Sequence, residues 1–315
     1  MNVSEIESLE LELTSRCNAA CPQCPRTNEK LFTSDLNHNR EITVENLKTW
    51  LPKELLNNLN RIVFKGTFSE PLISKYFVEI IEYLKENTRA RIKIHTNGSL
   101  RNKTFWKWLA LNLPKNSSVV FALDGLADTH SIYRINTNFD KILENAKVFI
   151  ENKGNAHWQF IIFKHNEHQI DEARKLSKQL GFSNFFTMYS DRTIENEFTK
   201  NHNSFVSITH EVEKKLIKEN IIKKQVVCKS LQDKEIFINW DGELFPCCMT
   251  GIYSTKSKNY FDFIVWKKNV LKNNFTNNNL NYHTLEEILK FYDNFYKDIE
   301  ISPKIITCSK NCGIN

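Results

Sequence analysis

Three cysteines stand at positions 17, 21 and 24 in the segment TSRCNAACPQCPR, residues 14–26, in a C-x3-C-x2-C spacing. Thiolates are soft ligands that select zinc, copper(I) or iron–sulfur clusters. A structural zinc site takes four ligands, commonly from two close pairs. This loop supplies three, and the next histidine along the chain is His38. On a cube of four irons, three cysteines leave one iron without a protein ligand, a place where substrate or cofactor can coordinate. A zinc knuckle that borrows its fourth ligand, or cysteines that only pack, is the plainer alternative. Five further cysteines occupy positions 228, 247, 248, 308 and 312. With no export signal in view, eight cysteines point to metal or redox chemistry rather than a disulfide framework.

The elements that must position these residues follow a repeated rhythm. Residues 8–14, 61–66, 91–98, 117–125, 156–163 and 184–190 are short runs rich in Ile, Val and Phe, and read as strands. Residues 43–56, 74–87, 103–113, 139–152 and 167–181 read as helices, the fourth-residue spacing of Phe77, Ile80, Ile81 and Leu84 being typical. Thr43 is an N-cap signal, and Gly181 a C-cap. Strands alternating with helices imply parallel βαβ units. Six strands are too few for a closed eight-stranded barrel, so an open sheet or partial barrel is expected. In either geometry, chemistry gathers at the C-terminal strand ends. The three cysteines, GTFSEP (66–71), HTNG (95–98) and LDG (123–125) all fall there.

Cys17, Cys21 and Cys24 after an early strand resemble the hallmark of the radical S-adenosylmethionine (SAM) superfamily. The resemblance implies a [4Fe-4S] cluster on the three thiolates, with SAM chelating the fourth iron through its amino and carboxylate groups. The reduced cluster of such enzymes cleaves SAM to methionine and a 5′-deoxyadenosyl radical that abstracts hydrogen from substrate. Gly66-Thr67-Phe68-Ser69-Glu70-Pro71 is similar to the family's GGxGEP segment beside the methionine end of SAM, with Thr67 and Ser69 replacing two glycines. The resemblance thus implies cofactor-binding roles for Gly66, Thr67, Ser69 and Glu70. Thr96, Asn97 and Asp124 fall in further family-like segments as cavity or ribose contacts; turn-capping is their plainer reading. Gln23 stands where the family often has an aromatic residue near adenine, which leaves backbone contact in place of stacking. Arg26 is a candidate for the SAM carboxylate through paired hydrogen bonds, or a surface charge.

Further along, Cys228, thirteen residues, Gly242, four residues and Cys247 resemble the opening half of the SPASM pattern. Cys308-x3-Cys312 is similar to its shortened twitch form. The resemblance implies one auxiliary [4Fe-4S] cluster on Cys228, Cys247, Cys308 and Cys312, although zinc accepts the same four thiolates. Cys248 is left over as the true ligand in place of Cys247, a packed thiol, or a catalytic hydrogen donor facing the cavity. Residues 235–248 read as a hairpin turning at Asp241-Gly242, and Thr284 with Glu287 as a capping box opening a helix. The expected architecture is α/β: a partial (β/α)6 TIM-like barrel over 1–205, a bridging helix or linker over 206–227 (its helical pattern at 208–224), and a small α+β twitch-type cluster domain over 228–315.

Other residues tempt. His165-Asn166-Glu167-His168 reads equally as an active-site loop or a helix cap. Tyr133 and Arg134 could meet substrate, whereas Phe105, Trp106 and Trp108 read as core. Lysines are spread along a chain of net charge +6, so no nucleic-acid tail is indicated, while a basic cleft for an anionic ligand is compatible. The acidic start MNVSEIESLELEL is no signal peptide, no apolar run approaches a membrane span, and the cytoplasm is the expected location. The first strand begins near residue 8, which lowers the expectation of a fused leader-binding domain. The resemblance implies an electron donor such as flavodoxin or ferredoxin. It leaves two substrate readings, oxidative modification of a peptide, or dehydrogenation or epimerisation of a sugar-like small molecule. From another class comes a non-catalytic zinc or iron–sulfur module for RNA or protein.

Overall fold

The computed structural model describes residues 1–27, 40–189, 225–252, 278–301, 308 and 312–314. The helix expected at 208–224 lies outside the described residues. All six expected strands form: β1 (Ser8–Leu11), β2 (Arg61–Phe64), β3 (Arg91–Thr96), β4 (Ser118–Ala122), β5 (Ala156–Ile162) and β6 (Asn184–Tyr189). They pair in parallel with their sequence neighbours, Leu11 opposite Phe64, Phe64 opposite Ile94, and Val119 opposite Ala156. The sheet is open, as a partial barrel requires.

The C-terminal hairpin gives a result that its local pattern does not contain. β8 (Glu235–Ile238) pairs in parallel with β1, Ser8 opposite Glu235 and Leu11 opposite Ile238. β9 (Leu244–Phe245) then runs antiparallel to β8. The sheet order is therefore β6-β5-β4-β3-β2-β1-β8-β9, and the hairpin extends the barrel wall. Its turn places Gly242 at φ +80°, where an added Cβ would lie 2.7 Å from the Trp50 ring, so glycine is required on two counts. A second small sheet joins β7 (Gln225–Val226) to β10 (Gly313–Ile314).

The helices pack on the outer face of the sheet. Residues 43–56 form two helices rather than the single one expected: α1 (Val44–Trp50) and α2 (Lys53–Asn58). Pro52 disfavours helical geometry at the residue before it, and Leu51 is extended at φ −107°, ψ 102°. α3 (Phe77–Asn87), α4 (Lys103–Asn112), α5 (His130–Tyr133), α6 (Phe139–Glu151) and α7 (Ile170–Gln179) follow. Asn102 and Asn138 cap α4 and α6 by accepting from Phe105 and Lys141 backbone N–H groups, at 2.9 and 2.8 Å. Gly181 follows α7 at φ +86°, as its C-cap role requires. α8 (Lys229–Gln232), α9 (Cys248–Ile252) and α10 (Leu285–Ile301) complete the described chain, with Thr284 and Glu287 forming the expected reciprocal cap.

Strand alternation sorts the residues by face. Leu9, Leu11, Ile62, Phe64, Ile92, Ile94, Phe121, Trp158 and Phe160 face the helices and are buried. Trp106 is fully buried among them, and Phe105 and Trp108 pack against that core. The alternate positions line the concave face: Ser8 and Glu10 on β1, Arg61 and Val63 on β2, Arg91, Lys93 and His95 on β3, Val120 on β4, His157 and Gln159 on β5, and Glu235 on β8. Continuing that alternation, Glu12 follows β1 and Lys65 follows β2 on the same face.

Candidate active site

The loop carrying Cys17, Cys21 and Cys24 crosses the C-terminal ends of β2, β3 and β4 and is bound to each. Glu70 N–H donates to the Arg16 carbonyl at 2.9 Å. Asn97 Nδ2 donates to Asn18 Oδ1 at 2.8 Å, and Asn18 Nδ2 donates to Ser99 Oγ at 2.9 Å. Ala20 N–H donates to the Ile135 carbonyl at 3.0 Å. Within the loop, Cys24 N–H donates to the Cys21 carbonyl at 2.9 Å. Gln23 is buried. Arg26 donates to the Ser15 carbonyl, so its guanidinium closes the loop on itself rather than standing as a surface charge.

Glu70 is the hub of this end of the barrel. One carboxylate oxygen accepts from Thr96 Oγ1 at 2.6 Å and from Leu72 N–H at 3.2 Å; the other accepts from Asn97 N–H at 2.7 Å. Burial pushes its pKa up to about 7 against those hydrogen bonds. Gly66 opens the turn leading to it, and a Cβ there would lie 1.5 Å from the Ser69 carbonyl oxygen. Thr67 and Ser69 are accommodated where the family has glycine: Thr67 is buried, and Ser69 Oγ donates to Glu12 Oε1 at 3.1 Å. Phe68 N–H donates to the same oxygen at 2.6 Å.

Asp124 has both oxygens engaged, Oδ2 by Arg134 Nε and Oδ1 by Ile161 N–H, each at 2.6 Å. Arg134 also reaches Cys21 Sγ at 3.7 Å. Burial works to lower the Arg134 pKa, but Asp124, Cys21 and Tyr133 hold it above its ordinary value. Arg134 thus places a permanent positive charge beside the cysteine loop rather than facing substrate. Tyr133 is buried against Phe163, ring centroids 4.3 Å apart. Asn166 accepts from Phe163 N–H at 2.7 Å and donates to the Ile161 carbonyl at 2.9 Å. His165 stacks on Phe163. The 165–168 segment is a turn that Asn166 ties back to β5, and among the described residues no side chain in it caps the helix that follows.

The second set of cysteines meets at the opposite end. Cys228, Cys247, Cys308 and Cys312 line one cavity of ≈ 290 Å³ together with Cys248, Glu235 and Phe295. Phe245 opposes Phe237 in the hairpin, so the chain reaches Cys247 near the level of Glu235, at the N-terminal edge of the sheet. Cys247 senses the charges of Cys308 and Cys228, and Cys308 those of Cys228 and Cys312. Cys248 is placed differently. Its neighbours are Glu10 and Lys65, with Lys65 Nζ 3.9 Å from its sulfur. It faces the concave wall.

The donor sets suit thiolate-bound clusters. Burial pushes Cys17, Cys247 and Cys308 up to about 12 and raises Cys21 and Cys228, with neighbouring cysteines adding in every case. Grouped thiols that resist ionisation alone are deprotonated by a coordinated metal. Among the described residues, no three His, Cys, Asp or Glu side chains converge on a point that could hold a single metal ion. A four-iron cube is wider than one ion and takes thiolates that stand further apart.

Sequence reasoning passed over the concave charges. Glu10 and Glu12 are 4% and 1% exposed, and one oxygen of each has no hydrogen-bond partner among the described residues. Burial raises both, Glu12 to about 8. The signal is the alternation LELEL itself, which places Glu10 and Glu12 together on one face of the strand.

Fold and site together define a class: an open parallel α/β barrel with three thiols gathered at its C-terminal rim beside a buried carboxylate hub. The chain belongs to the radical SAM superfamily, whose family profile matches residues 11–177. A Pyrococcus furiosus relative, described as a tungsten-containing aldehyde ferredoxin oxidoreductase cofactor-modifying protein, is 24% identical over 259 residues, covering 76% of this chain and 70% of the relative. Streptococcus suis SuiB bound to S-adenosylmethionine superposes with TM-score 0.64 at 15% identity, over 97% of this chain and 72% of SuiB. The structure of anSMEcpe with bound AdoMet and Cp18Cys peptide matches at TM-score 0.56 and 17% identity, over 97% and 88% of the respective chains. Those two likenesses establish the fold. Among the described residues no helix is long and apolar enough to cross a membrane.

Proposed function

We propose that the protein abstracts hydrogen from a substrate held on the concave face and completes a two-electron oxidation with the help of two iron–sulfur clusters. Cys17, Cys21 and Cys24 would hold the first [4Fe-4S] cluster; Cys228, Cys247, Cys308 and Cys312 would hold an auxiliary one, in a twitch-like region. The group held by Cys17, Cys21 and Cys24 would supply the electron for splitting SAM into methionine and a 5′-deoxyadenosyl radical, and the group held by Cys228, Cys247, Cys308 and Cys312 would take up one electron from the oxidised substrate. The substrate gives up one hydrogen atom to form 5′-deoxyadenosine, then one electron and one proton. An external donor such as flavodoxin or ferredoxin supplies the reducing electron.

The chain's own residues order this chemistry. Glu70, locked by Thr96 and Asn97, fixes the rim that would hold the methionine end of SAM. Gly66 lets the backbone of that turn approach closely. Arg134 offsets the negative charge of the Cys21 thiolate. The observation that carries the reading is the placement of the two thiol groups. One crowns the C-terminal strand ends; the other sits at the N-terminal edge, on the order of 20 Å away at the rise of a parallel strand. Glu235 and Cys248 belong to both the second cavity and the concave face, so the substrate space lies between the two sites.

A peptide substrate is the first reading, supported by the peptides bound to the fold neighbours: SuiA on SuiB and Cp18Cys on anSMEcpe. A small anionic substrate is the second, favoured by the cations of the concave face. The test is mass spectrometry of a peptide encoded beside this reading frame after anaerobic turnover. Loss of two hydrogen atoms with formation of 5′-deoxyadenosine supports the first reading. An unchanged peptide, with oxidation of a small anionic metabolite instead, supports the second.

A further inference from the structure

Four cations share the lower part of the concave face. Arg61 on β2 and Arg91 on β3 occupy one level by register, and Lys93 stands two residues further along β3. Lys65 reaches down from the end of β2 to Glu10 and Cys248. His95 and His157 lie on the next level up. Not all of this charge is available. Arg61 is committed to Glu235 at 2.9 Å and to Ser8 Oγ at 2.9 Å, and Lys65 faces Glu10.

Lys93 is the exception. Among the described residues it makes no ion pair with a carboxylate, and the charged groups around it are Arg61, Lys65 and Arg91, with burial and all three working against its own charge. The two imidazoles feel the same surplus: burial first, then Lys65 and Lys93 for His95, and Lys93 for His157, lower their pKa values, His95 to about 3. Neutral His95, hydrogen-bonded to Gln159, keeps a ring nitrogen to offer as a donor or acceptor. Lys93, His95, His157 and Gln159 are all partly exposed, so the wall is open to a ligand. Clustered cations without counter-charges destabilise a fold unless something anionic occupies them. Glu12 does not supply that charge: it is held protonated up to about pH 8 and accepts hydrogen bonds from the Phe68–Ser69 turn instead.

We propose that the Lys93 wall, formed by Lys93 and Arg91 with His95 and His157 above them, binds an oxyanion carried by the substrate. This deepens the proposed function and rests on the concave face being the substrate space. The ligand is distinct from the carboxylate of SAM, because Lys93 lies three residues, about 10 Å, below Thr96 at the rim. Its geometry also orients the substrate. The oxyanion sits low, towards the second cysteine cavity, and the carbon that loses hydrogen points up to the first.

Two probes test it: inorganic phosphate and acetate, titrated by calorimetry at low salt into reconstituted protein already saturated with SAM. The expected result is binding of at least one probe, weakened about tenfold in Lys93→Gln, the scale of one charge-assisted hydrogen bond. The exposed Lys53→Gln variant should bind like wild type. Preference for phosphate assigns a phosphate ester; equal binding of acetate assigns a carboxylate, as on an acidic peptide. No binding of either probe, or unaltered binding in Lys93→Gln, overturns the proposal. Should Lys93→Gln fail to fold, a rise in wild-type melting temperature with added phosphate, reduced in Arg91→Gln, gives the same decision. Uncoupled 5′-deoxyadenosine formation, measured in the same preparation, reports separately on the enzyme reading.

Discussion

The two cysteine regions are built in opposite ways. Cys17, Cys21 and Cys24 come from eight consecutive residues, and hydrogen bonds from Glu70 and Asn97, and from Asn18 to Ser99, tie their loop to the strand ends. Cys228, Cys247, Cys308 and Cys312 come from distant points of the chain, brought together by α9, α10 and the short pairing of β7 with β10. Protein bonds shape the first region; on the proposed function, a bound cluster would supply much of the closure of the second. On the proposed function, positioning of the cofactor falls to the rim, and electron acceptance, which tolerates distance, falls to the region gathered from distant points of the chain.

The largest effect expected from this contrast follows Cys17→Ala. Loss of one of three thiolates should lower 5′-deoxyadenosine formation by more than about 100-fold, read by chromatography, while the auxiliary irons stay. Cys247→Ala should instead remove about four of about eight irons per chain and leave SAM cleavage measurable. Cys248→Ala should keep all the iron, because its sulfur lies by Lys65 and Glu10. Iron loss in Cys248→Ala with full retention in Cys247→Ala would reverse the assignment. Next in size is a local change on chelation. Hydrogen exchange should quicken at residues 225–252 and 285–301 and stay slow at 61–64 and 91–97. Equal loosening of both regions breaks the comparison.

The smallest effect concerns Glu12, which anchors the turn beneath the first loop through Phe68 N–H and Ser69 Oγ. Its folded pKa of about 8 stands above the unfolded value near 4.5, so the native state binds the extra proton between them. Its contribution to stability is complete below pH 4.5 and is lost as pH rises through 8, at no more than about 1.4 kcal/mol per pH unit. Urea unfolding of the metal-free protein at pH 5.5 and 8 should show that loss, and Glu12→Gln should flatten it.

Much of the rim was legible in the sequence because its determinants are local. Cysteine spacing, the glycine of GTFSEP and the strand rhythm each act within a few residues. Residues 43–56 read as one helix from the Thr43 cap, and the local effect of Pro52 on Leu51 is what divides α1 from α2. Long-range features left no such trace. Nothing in EIFI shows that Glu235–Ile238 will pair with Ser8–Leu11, because strand partners are chosen by tertiary packing. The concave charges were hidden for another reason. A strand with one polar face reads the same whether that face meets bulk water or a curled interior, so alternation alone does not set Glu10, Glu12 and Lys93 apart from surface residues. Arg26 and Arg134 were noticed, but only the structure shows them turned to Ser15 and to Asp124 and Cys21.

The central claim is that the chain cleaves SAM at the Cys17–Cys24 loop. Anaerobically reconstituted protein should be mixed with SAM and dithionite, and 5′-deoxyadenosine and methionine quantified. The account predicts both products in equal amounts, with about eight irons per chain. Zinc as the only bound metal, with SAM recovered intact, would contradict it.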